Sequence, residues 1–306
     1  MLSATVALLA AEGLARLAGV GSRFGQLIFV RGVPTRTVGG VPLWSDLHPR
    51  YDSKDIQRAA SDPTAFVILG LGDSIMYGVG QPKEATYLER ARMELAHRSK
   101  RSVEILNAAV PGYNTRQEDA VYEELGARLG ANLVLVHYWT DDAYQYRVVG
   151  GHVVDLGNIS EEYGRLVVRA LPLPPPVGDF LLVHSRLYDM LTQAVVAFRR
   201  EVRNDDWARV AEPLAQIQQR AQRSGGRVVV LASAALDSVL PMPIGDLSRL
   251  QEFAAGRGIE VIDLSRWLQG YRSEEIGMDM CHLNAAGHRL IGERLAEYLL
   301  ERDLKQ

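Results

Sequence analysis

The chain has 306 residues, 47% hydrophobic and 23% charged, with a formal net charge of −3. That balance is typical of a folded globular protein and gives no electrostatic basis for nucleic-acid binding. The single cysteine, Cys281, excludes an intrachain disulfide and a cysteine-based zinc cluster; a chain of this length, burying roughly 75% of its unfolded surface, needs neither.

The N-terminal "MLSATVALLAAEGLARLAGV" opens with an apolar stretch interrupted by Glu12 and Arg16. It is shorter than the roughly 20 apolar residues that cross a bilayer and lacks the basic start and cleavage box of a signal peptide. The reading is an amphipathic helix packed on the domain, with a membrane-proximal anchor as the alternative. The compartment therefore stays open between cytoplasmic and membrane-associated or periplasmic. Residues 21–62, rich in glycine, proline and turn formers, read as an irregular lead-in. The main domain is expected over 63–306.

From there, strand and helix patterns alternate. Continuous apolar, β-branched runs at Phe66–Leu71, Val103–Leu106, Leu133–Val136, Arg227–Leu231 and Glu260–Ile262 fit strands covered on both faces. Helical patterns lie between and after them, at about 85–98, 115–128, 207–223, 246–256 and 285–301. The alternation predicts an α/β fold of three layers, α/β/α, on a mostly parallel, five-stranded, doubly wound sheet. One crossover is too long for a single helix. It is read as a helical insertion over about 145–205, holding "LPLPPP" at 171–176 and an apolar stretch at 179–198. Its alternatives are an extra packing helix, a cap over the active site, or a membrane-facing element.

In open parallel sheets, ligands sit outside the carboxyl ends of the strands. Ser74 follows the first run, "NAAVPGYN" (107–114) the second, and "YWTDDAY" (138–144) the third. Near the C-terminus, Asp279 and His282 stand three apart, before a helix that Asn284 can cap. A serine nucleophile needs a base to take its proton, and the base needs an acceptor to orient its ring. Asp-x-x-His is common by chance; the four segments together, each at a strand end, carry more weight.

These segments resemble the SGNH/GDSL hydrolase family. Gly72-Asp73-Ser74 matches its first block, Gly112 its second, and Asp279–His282 its last, with the resemblance spanning about residues 64–300. It implies a flavodoxin-like SGNH hydrolase fold and a serine esterase or lipase working through an acyl-enzyme. Ser74 would be the nucleophile, His282 the base and Asp279 its orienting acid, with the N–H groups of Ser74 and Gly112 donating to the oxyanion. No Gly-x-Ser-x-Gly and no Gly-x-Gly-x-x-Gly accompany the first strand, which sets aside a nucleophile elbow and a dinucleotide site.

The third block departs from the family. Where Gly-x-Asn-Asp is expected, the chain has Trp139-Thr140-Asp141-Asp142, so Asp141 replaces an oxyanion donor. An ionised carboxylate only accepts hydrogen bonds. Asp141 can be protonated, can turn toward a cation, or can mark a site that has lost acyl chemistry. Trp139 reads as strand-end packing or an aromatic substrate wall, with Tyr138, Tyr144 and Tyr146 nearby. Asp73, Trp139, Asp142 and Tyr144 are the substrate-pocket candidates; Asp73, Asn107 and Asn114 also read as loop buttresses. Cys281 reads as a small filler, His288 as a packing or surface residue, and His137 as lacking partner spacing for a metal. No cofactor or metal is expected. The substrate class is a small-molecule, glycan or lipid ester. Acyl transfer to an alcohol and a non-catalytic binding domain are the competing readings.

Overall fold

Five apolar runs meet in one parallel sheet. They are β1 (Phe66–Leu71), β2 (Val103–Asn107), β3 (Leu133–Trp139), β4 (Arg227–Ser233) and β5 (Glu260–Asp263), in the order β5-β4-β3-β1-β2. In the computed structural model, the described residues are 2–17, 36–38, 41–43, 50–139, 142, 146–149, 152–155, 159–162, 165–168, 174, 177, 181, 184–188, 191, 207–233, 236, 245–279 and 281–305. The chain divides into two units: 1–35 with 144–206, and 36–143 with 207–306.

The larger unit holds the sheet. Every residue of β1 and β3 is buried, as strands covered on both faces require. From β1 the chain steps outward to β2, then returns to the opposite side of β1 to form β3. That reversal is the topological switch point, where an open α/β sheet leaves a crevice at its carboxyl ends. Pairing of β1 with β3 stops at Leu71↔Val136, whereas β3 and β4 run on together to Trp139↔Ser233. His137 and Trp139 therefore lie beyond the end of β1, alongside the turn that carries Ser74.

Five longer helices accompany the sheet: α1 (Tyr87–Arg98), α2 (Thr115–Leu129), α3 (Ala208–Arg223), α4 (Gly245–Ala255) and α5 (Ala285–Arg302). α5 crosses α1 at backbone distance. A Cβ on Gly292 would stand 2.5 Å from the Arg90 Cβ and 2.9 Å from the Tyr87 carbonyl oxygen, so only glycine fits there. On the α2–α3 contact, Arg220 pairs with Asp119 at 2.5 Å. The N-caps follow the sequence: Asn114 and Gln117 form a capping box on α2, and the Asn284 side chain accepts from Ala286 and Gly287 at the start of α5.

The lead-in contains more order than its composition predicts. A short antiparallel hairpin joins Arg36–Val38 to Val41–Leu43, and a helix spans Ser53–Ser61. Asp52 and Asp55 form a capping box that starts that helix, a local signal sitting among turn formers. In the smaller unit, residues 146–168 form two hairpins, Tyr146–Val149 with His152–Asp155 and Ile159–Glu162 with Arg165–Val168. Valine-rich runs beside Gly150-Gly151 carry this hairpin signal in the sequence. "LPLPPP" and the apolar stretch 179–198 lie largely outside the described residues.

The N-terminal helix, Leu2–Leu17, belongs to the smaller unit. Its polar interruptions anchor it. Glu12 accepts from the Arg186 and Leu187 N–H groups at 3.0 and 2.9 Å and from the Ser185 hydroxyl at 2.8 Å. Those bonds, that of Leu187 foremost, hold its carboxyl down to about 2. Among the described residues, no helix is long and apolar enough to cross a membrane.

Candidate active site

Ser74 opens a one-turn helix, Ser74–Tyr77, immediately after β1. Asp73 caps it, its Oδ1 accepting the Ile75 N–H at 2.8 Å. From Gly72 to Gly78, Ser74 alone is not buried. The chain must turn sharply here without side-chain bulk: a Cβ on Gly72 would lie 2.9 Å from the Cβ atoms of both His137 and Met76. The second loop is sewn to the first. Ala108 N–H and Val110 N–H donate to the carbonyls of Gly70 and Gly72 at 2.8 and 2.9 Å. Asn107 bonds the Met76 carbonyl at 2.9 Å and accepts from Ala109 N–H at 3.1 Å. Gly112 follows in that loop with φ +79°, a conformation that glycine adopts at little cost.

Asp279 and His282 stand in the tight turn before α5. His282 Nε2 lies 2.8 Å from Ser74 Oγ, and His282 Nδ1 lies 2.8 Å from Asp279 Oδ2. The other carboxylate oxygen, Oδ1, accepts the backbone N–H groups of Cys281 at 2.9 Å and His282 at 2.7 Å. Partial burial raises the Asp279 pKa, but the His282 ring and these two N–H donors outweigh it, holding the carboxyl below the usual carboxylate range. An ionised acceptor on Nδ1 favours the tautomer whose Nε2 lone pair faces the hydroxyl. The array can take a proton from Ser74 and stabilise the imidazolium that results.

The remaining sequence candidates separate into groups. Asp73 is the cap just described. Trp139 is buried at the end of β3, and its carbonyl accepts Asp142 N–H at 3.0 Å. Asp142 is buried too, and accepts from the Thr115 hydroxyl at 3.2 Å, joining the third loop to the start of α2. Tyr138 packs edge-on against Trp207. Asp141 and Tyr144 lie outside the described residues. A cavity of about 140 Å³ lies beside the turn, lined by aliphatic side chains such as Ile75, Leu236 and Ile276 and by the polar Ser233, Ser265 and Tyr271.

Three supporting groups are not evident from the motifs. Arg50, in the lead-in, donates to the carbonyls of Tyr77, Gly78 and Gln81 at 3.1, 3.1 and 2.8 Å, and its guanidinium stacks 4.1 Å over the Tyr77 ring. It fastens the chain just after the Ser74 turn. His288 is buried on α5 and stacks on Tyr87, whose N–H it accepts at 3.2 Å. Burial first, then the charges of Arg50, His282 and His137, lower its pKa to about 4. Glu118 on α2 is fully buried, with neither carboxyl oxygen hydrogen-bonded among the described residues. Burial and the nearby Asp73 charge raise its pKa well above the usual value.

A five-stranded parallel sheet in this order, flanked by helices and carrying its polar array at the switch point, is the SGNH/GDSL α/β hydrolase fold. The family model of the GDSL-like lipase/acylhydrolase family matches residues 71–290; the chain belongs to this family and is an ester-hydrolysing enzyme. Among solved structures, it is similar to the lipase/acylhydrolase from Enterococcus faecalis, at 18% identity and a TM-score of 0.51, covering 78% of this chain and 98% of that one. It is also similar to TesA, at 16% identity, a TM-score of 0.49, and coverage of 76% and 97% respectively. An acetyl xylan esterase, AlAXEase, aligns at 13% identity, a TM-score of 0.48, and coverage of 76% and 99% respectively. No curated protein matches.

Proposed function

We propose that the protein hydrolyses carboxylic esters through an acyl-enzyme on Ser74, with His282 as general base and Asp279 as its orienting acid. The observation that carries this reading is the unbroken chain Ser74 Oγ–His282–Asp279, both links at 2.8 Å. Ser74 Oγ attacks the ester carbonyl as its proton passes to His282 Nε2; Asp279 stabilises the imidazolium. Collapse of the tetrahedral intermediate expels the alcohol, which takes the proton from Nε2. Water then attacks the acyl group by the same route, releasing the acid. The N–H groups of Ser74 and Gly112 are the proposed oxyanion donors. The third donor position falls to Asp141.

The substrate is a small-molecule, glycan or lipid ester. The cavity beside Ile75 mixes leucine and isoleucine side chains with Ser233, Ser265, Tyr271 and Ser273, so it suits a short group of mixed polarity on one side of the ester bond.

The test uses p-nitrophenyl acetate and butyrate together with a fluorophosphonate label. Turnover and labelling are expected in the wild type and absent in Ser74→Ala. Wild-type protein that shows neither, or a Ser74→Ala variant that keeps both, would sink the reading. An added alcohol separates hydrolysis from acyl transfer: free acid as the main product supports hydrolysis, and a new ester supports transfer.

A further inference from the structure

We infer that the Asp279-x-Cys281-His282 turn is also an inhibitory site for a borderline-soft divalent cation of the zinc type. Cys281 takes no part in the proposed reaction, yet it does not stand alone. Its Sγ, His282 Nδ1 and an Asp279 carboxylate oxygen all lie within 4.8 Å of one another. Thiolate, imidazole and carboxylate are the three ligand classes zinc uses.

The spacing suits a tetrahedral ion. Cys281 Sγ stands 3.5 Å from His282 Nδ1. Zn–S and Zn–N bonds of about 2.3 and 2.05 Å at a tetrahedral angle require about 3.5 Å. The Nδ1···Oδ2 distance is now that of a hydrogen bond, 2.8 Å, and must open to about 3.4 Å. Asp279 Oδ1 stays fixed by the Cys281 and His282 N–H groups, so a small swing of Oδ2 completes the set. Water supplies the fourth ligand. All three residues are only half-buried, so an ion can enter from solvent.

Binding there switches off the base. The Cys281 thiol loses its proton to solvent as the Zn–S bond forms. The metal takes the Nδ1 lone pair, the proton that Nδ1 shared with Asp279 leaves, and Nε2 takes one up, keeping the ring neutral. An Nε2–H faces Ser74 as a donor and cannot accept its proton. One proton is released for each ion bound. The inhibition rests on the proposed role of His282; the binding does not.

The experiment therefore reads the two separately. Equilibrium dialysis against buffered Zn²⁺ measures binding to the wild type, Ser74→Ala and Cys281→Ala. p-Nitrophenyl acetate turnover over the same zinc range is compared with each protein's own rate in chelator. One zinc is expected on the wild type and on Ser74→Ala, which keeps all three ligands, with at least about tenfold weaker binding to Cys281→Ala. Wild-type turnover is expected to fall as the site fills, and the Cys281→Ala curve to shift to correspondingly higher zinc. Equal zinc binding by wild type and Cys281→Ala, or none by either, overturns the site. Cys281-dependent binding that leaves turnover unchanged overturns the inhibition. Turnover surviving in Ser74→Ala would instead indict the catalytic reading and leave the binding result standing.

Discussion

Asp279 grips His282 at two points: Oδ2 meets the ring Nδ1 at 2.8 Å, while Oδ1 takes the His282 backbone N–H at 2.7 Å. One carboxylate thus sets both the path of the loop and the tilt of the ring. Asp279→Asn keeps an acceptor for the loop but presents a neutral amide to the ring. The expected result is a fall in kcat of about 10³–10⁴ with the thermal midpoint little changed, read by ester turnover and calorimetry. A large loss of stability instead would show the loop to be its main role.

By the sequence resemblance, Asp141 takes the place of a donor asparagine. If the carboxylate faces the oxyanion, the site works one donor short, a deficit of roughly 10²–10³ in rate. Asp141→Asn is accordingly expected to raise kcat on p-nitrophenyl acetate by up to about 10²-fold with little change in KM. An unchanged kcat fits a protonated Asp141 that already donates, in which case wild-type activity falls as pH rises and the Asn variant loses that limb; an unchanged rate and an unchanged pH profile together show that this side chain points elsewhere.

Arg50 spans three carbonyls that follow the Ser74 turn. Arg50→Ala strips these charge-assisted bonds and the stacking on Tyr77. It is expected to cost about 2 kcal/mol in urea unfolding and about tenfold in kcat through misplacement of Ser74. Arg50→Lys recovers only part of both, because an ammonium lacks the planar fork that reaches several carbonyls at once.

Two buried groups give stability opposite pH slopes. The His288 pKa, lowered to about 4 when folded against 6.5, makes its contribution present above pH 6.5 and lost as pH falls through 4. The loss is about 3 kcal/mol. Glu118 is raised, so its contribution is full below its unfolded value of 4.5 and declines as pH climbs above it. Unfolding midpoints across pH 4–9 check both. Glu118→Gln is expected to flatten the alkaline decline alone, and His288→Gln the acid one.

Ser74, Asp279 and His282 were legible because each sits in a short string at the end of an element, where local sequence reports local geometry. The five strands were legible for a related reason: burial on both faces leaves an unbroken apolar run. His288 was read as packing or surface and is packed, whereas Glu118 was hidden by its polarity, though helix periodicity marks both. Glu118 leads the stripe of Val121, Leu125 and Leu129, and His288 that of Ile291, Leu295 and Leu299, all buried. Arg50 had no such marker, since its partners are backbone carbonyls brought to it only by tertiary folding. The hairpins at 146–168 went unread because an over-long crossover suggested helix, while their strands are each only a few residues long.

The bond from Ser74 to His282 joins residues 208 positions apart, whereas Asp279 and His282 stand 3 apart. Asp279 and His282 can meet as soon as their own turn forms; Ser74 and His282 meet only when the whole sheet has closed between them. Loop closure of that length is a late step. In refolding, ester turnover should therefore return after helix content, making the enzyme's own reaction a reporter of topological completion.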